Sequence, residues 1–482
     1  MKLPSLKSLL RAAPVALATA AIAVVMAAPA SGAQTGINVA GFFGTPAQNA
    51  TLESLITQLR PGWVRVFLNW DQIETSPGSY DAAQLADYKQ LFAALPAGTK
   101  VDIDVTGSPA WANGGSTNPA TPPVTDQSFG GFMNYLANTF GPTVSAYEIW
   151  NEEDTTYNWT GTPAQYVSLL QAAYPAIKSA NPNATVILGG LAANDYPYLQ
   201  QLYADGAQGS FDAVGVHTDD ACSLTSPEAF AFNPGTQQIN RWSFLGFTTV
   251  HSIMAANGDA SKPIYMTEFG WSTTTLGCDV GTWAGKKAGG VSEQTQASYL
   301  QQAYHCLAQP QYSYVAAAMW FDMVDFSTQN NIFDRYGLLS TGLKPRPSFA
   351  AFAQEAGGDP LSGGCGNFAG PTLHMVDPTN GQHYSGRLLL RVSATVNGGA
   401  PGDAVSQIAL QHDGKTILNF NRFDAHYANG TLSGSINWMG AQHLSAGAHT
   451  ISAVATNANG VKSTLTVTVI HVVHRHKHHK HG

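Results

Sequence analysis

Eight short apolar runs, rich in β-branched and aromatic residues, recur between residues 37 and 321, with amphipathic segments between most of them. The runs are 37–43, 63–70, 100–106, 146–152, 185–191, 213–216, 264–267 and 315–321. Segments 49–60, 82–95, 129–140, 163–180, 236–257 and 292–307 read as helices. In 163–180, for example, Tyr166, Leu169, Leu170, Ala173 and Ile177 share one face. Strands that are apolar throughout are buried on both faces, as parallel strands are under crossover helices. Eight of them alternating with helices predict a closed TIM (β/α)8 barrel rather than an open doubly wound sheet. An open sheet of that kind usually carries a Gly-rich phosphate turn, and no G-x-G-x-x-G or G-x-x-x-x-G-K-[ST] occurs at a strand–helix junction.

Two of the runs end in acid. Ala146-Tyr147-Glu148-Ile149-Trp150-Asn151-Glu152-Glu153 passes from apolar strand to an Asn-Glu pair, and Ile264-Tyr265-Met266-Thr267-Glu268-Phe269-Gly270 is built the same way. Barrel strands deliver chemistry at their C-terminal ends. Two carboxylates brought to one rim match the needs of glycosidic cleavage, an acid plus a nucleophile or base. Each residue also has a plain structural use. An Asn-Glu pair can cap a helix, Arg65 can pair with Glu148 inside the barrel, and Trp320 can be core.

Trp150-Asn151-Glu152 closing the fourth strand, with Thr267-Glu268-Phe269-Gly270 closing the seventh, resembles glycoside hydrolase clan A over residues 36–356, most similar to family 39 and its family 5 relatives. Arg65 on strand two, His217 on strand six and Trp320 on strand eight fit the same pattern, as does Trp70-Asp71-Gln72-Ile73-Glu74 followed by Pro77-Gly78-Ser79-Tyr80-Asp81. The resemblance implies a retaining hydrolase of β-glycosidic bonds, with carboxyl groups about 5–5.5 Å apart. Glu152 would be the acid/base and Glu268 the nucleophile, kept ionised by Arg65. Asn151 would bind the sugar 2-hydroxyl, Trp320 would be a stacking floor and His217 would orient one carboxylate. No cofactor or metal is implied. One position departs from the pattern: Asp219 stands where clan members commonly carry Tyr, placing negative charge near Glu268. That departure supports a competing reading, a non-catalytic carbohydrate-binding or adhesive surface protein on the same barrel. A transglycosylase is a third.

Outside the barrel, Lys2, Lys7 and Arg11 precede an apolar run and small residues through Ala33, so residues 1–33 read as a cleaved signal peptide and the protein as secreted. No later stretch is long and apolar enough to span a membrane. The net charge of −8 provides no basic field for nucleic acid. In an oxidising compartment the four cysteines predict two disulfides. Cys222–Cys278 and Cys306–Cys365 are favoured, because Cys222 and Cys278 each follow a strand on one rim. Glu153, Asp154 and Glu74 read as surface or supporting residues. One or two of Trp111, Trp159, Trp242, Trp271 and Trp283 are expected to stack on sugar rings.

The barrel is expected over 34–356, followed by a Gly-rich linker at 357–370. From 371 to 473 the pattern turns to alternating strands separated by Asp413-Gly414, Asn429-Gly430 and Asn459-Gly460 turns, which predicts a β-sandwich. Gly447-Ala448-His449-Thr450-Ile451-Ser452-Ala453-Val454-Ala455 resembles the immunoglobulin-like modules of bacterial secreted enzymes. Residues 474–482 form a basic, His-rich tail, read as solvated, with metal capture or contact with anionic cell-wall polymers as the other options.

Overall fold

The computed structural model describes residues 32–39, 45–219, 226–227, 232–233, 238–276, 290–326, 334–357, 371–395, 405–421, 426–428, 430–457 and 462–473. The expected signal peptide (up to residue 31), the linker from 358, the tail, Trp283, Cys222, Cys278 and Cys365 lie outside the described residues. No described helix is long and apolar enough to cross a membrane.

Eight parallel strands close a barrel: β1 (Gln34–Asn38), β2 (Trp63–Asn69), β3 (Lys100–Thr106), β4 (Ala146–Asn151), β5 (Thr185–Leu191), β6 (Ala213–Asp219), β7 (Ile264–Gly270) and β8 (Val315–Trp320). Each strand pairs with its sequence neighbours and β8 pairs with β1. The eight runs were legible, with differences at the ends: β1 begins three residues earlier than expected, and β6 and β7 each extend three residues further. Helices α1 (Pro46–Leu59), α2 (Ala82–Ala94), α3 (Asp126–Phe140), α4 (Pro163–Ala180), α5 (Tyr196–Ala204), α6 (Phe247–Ala256), α7 (Glu293–Leu307) and α8 (Pro347–Gly357) accompany the strands.

Local chemistry sets the helix starts. The same tetrapeptide, Thr-Pro-Ala-Gln, opens α1 at Thr45 and α4 at Thr162. In both, the Thr hydroxyl accepts from the Gln backbone N–H and the Gln side chain accepts from the Thr backbone N–H, a reciprocal capping box with Pro pre-set at the first helical residue. This box starts α1 three residues before the apolar periodicity does. The short α5 carries too few turns for periodicity to declare it; its signal is the cap, where Asp195 Oδ1 accepts from Tyr198 N at 3.1 Å. The segment read as helix 236–257 holds α6 only in its second half, and α8 was not foreseen.

Apolar residues of strands and helices form one core between the barrel wall and the helix layer. Inside the barrel a second, smaller cluster joins Trp63, Ala146, Ile187, Ala213, Tyr265, Ala317 and Met319. Two residues further along three of those strands stand Arg65, Glu148 and Thr267, on the same inward face by the period of two. An apolar layer thus underlies a polar one at the C-terminal end. Cys306, buried on α7, is disulfide-bonded.

The C-terminal part is a β-sandwich around its own core, including Leu390, Ile408, Leu432 and Ile451. One sheet orders β9 (Thr372–Asp377), β11 (Leu388–Thr395), β15 (Thr431–Trp438) and β14 (His426–Ala428). The other orders β10 (Gln382–Tyr384), β17 (Lys462–His471), β16 (Gly447–Asn457), β12 (Val405–His412) and β13 (Lys415–Asn421). Pairing is antiparallel apart from β10 with β17.

Candidate active site

The site is built on one buried cation. Arg65, without exposed surface, donates from Nε to Glu148 Oε2 (2.6 Å), from Nη1 to Glu268 Oε1 (2.6 Å) and Asn38 Oδ1 (2.9 Å), and from Nη2 to Asp104 Oδ2 (2.9 Å) and Asn151 Oδ1 (3.0 Å). Arg65 therefore pairs both with Glu148 and with Glu268. Burial alone would depress this guanidinium, but Glu148, Asp104 and Glu268 together lift it well above its ordinary range. Asp102 and Asp104 are pushed well above the usual carboxylate range, first by burial. Asn38 Nδ2 also donates to Thr267 O at 2.8 Å, and Thr267 Oγ1 donates to Glu148 Oε1 at 2.9 Å, tying β1, β4 and β7 together.

Glu268 stands beside His217 in the β7–β6 register, just after an irregularity between Met266 and Glu268 that re-aims the strand end. Glu152 arrives differently. Trp150 (φ 71°) and Glu152 (φ 45°) both occupy the left-handed region, which is costly for residues with side chains. Trp150 Nε1 donates to Asn158 O at 2.8 Å, and Glu152 O accepts from Thr155 N and Oγ1, both at 2.9 Å, which holds the turn. The turn brings Glu152 Oε1 to 2.9 Å from His217 Nδ1, while Asn158 Nδ2 donates to Glu152 Oε2 at 3.2 Å.

His217 Nδ1 is also 3.6 Å from Glu268 Oε2, and donor atoms of Glu152, His217 and Glu268 all lie within 4.8 Å of one another. The two carboxylates thus meet across one imidazole. Burial lowers His217, and so keeps it neutral at pH 7; Nε2 has no hydrogen-bond partner among the described residues. Glu152 keeps 25% of its side-chain surface open, yet burial raises it to about 7, with Arg65 opposing and Glu148 adding. These three side chains are also one of two described groups whose donors could approach a single cation; the other is on the sandwich.

Trp320 requires correction. It is fully buried, donates from Nε1 to Tyr336 O (3.0 Å) and packs edge-on against Phe269 at 5.3 Å, so it backs the site rather than offering an open face. Glu74 and Glu153 are likewise buried, and Asp154 has 1% of its side chain exposed, so none belongs to the surface. Glu74 accepts from Trp70 Nε1 (2.7 Å) and Gly78 N (2.8 Å), pinning the loop after β2. Asp154 accepts from Ala192 N. Glu153 is raised well above the carboxylate range, first by burial and then by Asp154. Trp159 and Trp271 are buried, Trp111 donates to Glu74 O, and Trp242 is open, with the Arg241 guanidinium over its ring. Asp219 closes β6 opposite Gly270; its side chain lies outside what the structure describes.

Asp104 and Glu148 were not singled out as site residues, although their signal was present. Val101-Asp102-Ile103-Asp104-Val105 alternates acid with apolar residues, and Glu148 sits mid-strand among apolar neighbours. Acid at a period of two inside a buried strand places carboxylates in the barrel interior.

Comparison with solved structures returns several glycoside hydrolases, of which the first shares the fold. A family 39 glycoside hydrolase from the gut symbiont Bacteroides cellulosilyticus WH2 superposes with a TM-score of 0.54 at 19% identity, over 85% of this chain and 80% of that one. A monomeric β-xylosidase from Caulobacter crescentus CB15 gives 0.49 at 14% identity, over 79% and 82%. The endo-β-1,4-mannanase from Thermotoga petrophila gives 0.43 at 13%, over 92% and 99%. A search of curated protein sequences returns no match. The sequence profile described as Cellulase (glycosyl hydrolase family 5) matches residues 27–322, spanning all eight barrel strands and both carboxylates. With Glu152 and Glu268 meeting on this barrel, the chain belongs to the cellulase family, glycosyl hydrolase family 5, and is an O-glycosyl hydrolase.

Proposed function

We propose that the protein is a secreted, retaining β-glycosidase acting on oligo- or polysaccharides by double displacement. The observation that carries this is the approach of Glu152 and Glu268 oxygens to within 4.8 Å, close enough for the short separation of retaining enzymes and too close for a water between the inverting pair. Glu268, 2.6 Å from the Arg65 guanidinium, attacks the anomeric carbon as a carboxylate. Glu152, its proton held up to about pH 7, protonates the departing oxygen and then deprotonates the incoming water. His217, neutral and 2.9 Å from Glu152, positions that carboxyl group. Asn151, its Oδ1 held by Arg65, offers its amide N–H2 to the sugar 2-hydroxyl.

The signal-like N-terminus supports export, and the C-terminal sandwich, read as an immunoglobulin-like module, supports docking to polysaccharide or cell-wall polymer. Trp242, open on the segment between β6 and α6, offers an exposed ring for a sugar to stack on.

Incubation with a panel of activated 2-deoxy-2-fluoro glycosides tests the mechanism. Mass spectrometry should find a covalent glycosyl adduct on Glu268 that is absent in Glu268→Gln. Absence of an adduct across a broad sugar panel, together with retained binding of glycans, would favour the non-catalytic carbohydrate-binding reading instead.

A further inference from the structure

The sandwich carries a constellation that glycoside cleavage does not use. At the turn joining β12 to β13, His412 Nε2 lies 3.0 Å from Asp413 Oδ2. His449, on the adjoining β16, places Nδ1 at 3.3 Å from the same oxygen and 3.1 Å from His412 Nε2. Three donor atoms from three side chains thus form a nearly equilateral triangle. Bonds of about 2.0–2.1 Å to a tetrahedral zinc ion put neighbouring ligand atoms about 3.3–3.4 Å apart, close to the edges of this triangle. The catalytic trio, at 2.9 and 3.6 Å along two edges, is less regular.

The surroundings prepare these donors. His449 Nε2 is 2.9 Å from Ser445 O, and a carbonyl only accepts, so Nε2 carries the proton and the Nδ1 lone pair faces the triangle. Outer hydrogen bonds of this kind fix the tautomer of metal-binding histidines. Asp413 is oriented likewise: Oδ1 accepts from Thr450 N and Oγ1, both at 2.8 Å, leaving Oδ2 toward the histidines. Asp413 is half exposed and the His412 and His449 side chains are 19% and 10% exposed, which leaves an entry path. Asp413 is held in the left-handed region (φ 44°) by the Asp-Gly turn, which sets its carboxylate beside β16.

We propose that His412, Asp413 and His449 form a binding site for a divalent transition-metal ion of the zinc class. The fourth position is open to solvent or to a ligand from a partner. The ion would staple the β12–β13 turn to β16. A two-nitrogen, one-carboxylate donor set favours zinc, copper or nickel over calcium or magnesium, which take oxygen ligands.

The histidines of the tail would bind the same ions, so the test uses the full-length chain with His474, His476, His478, His479 and His481 changed to alanine. After chelator washing, zinc titration calorimetry should give one site per chain, and cobalt(II) should give the visible absorption of a tetrahedral complex. His449→Ala and His412→Ala should each weaken zinc binding more than about 100-fold, beyond the loss usual for an outer partner. Asp413→Asn keeps the acceptor for Thr450 and tolerates the left-handed turn, so it reports on the charge without unfolding the hairpin; it should weaken binding at least about tenfold. Zinc should raise the melting temperature of the parent, raise that of Asp413→Asn less at the same concentration, and leave the two histidine variants unshifted. A flat isotherm in the parent, or isotherms unchanged in the variants, would overturn the proposal and leave the triangle as a hydrogen-bonded cluster.

Discussion

The imidazole of His217 occupies the space that a side chain at position 190 would need: a Cβ on Gly190 would fall on His217 Nε2. Gly190 is also the register partner of Asn151 across β4 and β5. A residue without a side chain therefore lets His217 lie beside Glu152.

Gly190→Ala should leave the fold intact by circular dichroism and lower kcat/KM by about 100-fold, since a shift of about 1 Å in positioned groups costs that much. Steady-state kinetics on an aryl β-glycoside checks this. Activity within about threefold of the parent would show that His217 does not position the acid.

Activity should fall as pH rises through about 7. Burial raises Glu152 to about that value, and the acid form needed to protonate the leaving oxygen is present below it and lost above it. The pH profile of kcat/KM measures this limb. Glu152→Gln should abolish it, and external azide should restore turnover only with good leaving groups.

Arg65 should be worth more to folding than either Glu152 or Glu268. Arg65→Met strips Glu148, Asp104 and Glu268 of their common counter-charge in a buried setting, and loss of one partner from such a pair costs about 3–5 kcal/mol. Urea unfolding should show that loss. Glu268→Gln, which keeps Arg65 paired with the other two acids, should lose far less stability while losing activity.

Overpacking should damage the sandwich selectively. A Cβ on Gly434 would fall on the Phe420 ring, so Gly434→Val should destabilise that part by about 1–3 kcal/mol. Differential scanning calorimetry should show a lowered transition, with kcat on a small soluble glycoside unchanged.

Much of this was readable from the chain because the signals are local. Strand interiors announce themselves by predominantly apolar, β-branched and aromatic runs, and the two acids follow at the ends of two of them. Arg65, Asn151, His217, Glu152 and Glu268 were all named from sequence, and the structure brings all five together. The misses share another cause. Whether Trp320 faces a cleft or a wall depends on Phe269 and Trp271, which reach it only through the pairing of β7 with β8. Glu74 and Glu153 read as surface or supporting acids, and the sequence left the two open because burial of a charged side chain is set by what folds over it. The histidine–aspartate triangle needs the pairing of β12 with β16, which composition does not reveal.

The apolar layer of Trp63, Ile187, Tyr265 and Met319 beneath the acids makes the barrel a well with a sealed floor. Under the proposed retaining cycle, the water that releases the sugar would then have to enter by the doorway the departing half has just left. Traffic there would become a contest: a second carbohydrate lingering at the mouth would compete with water and be joined to the sugar in its place. The ratio of cut to re-joined chains would thus follow the crowding of that doorway.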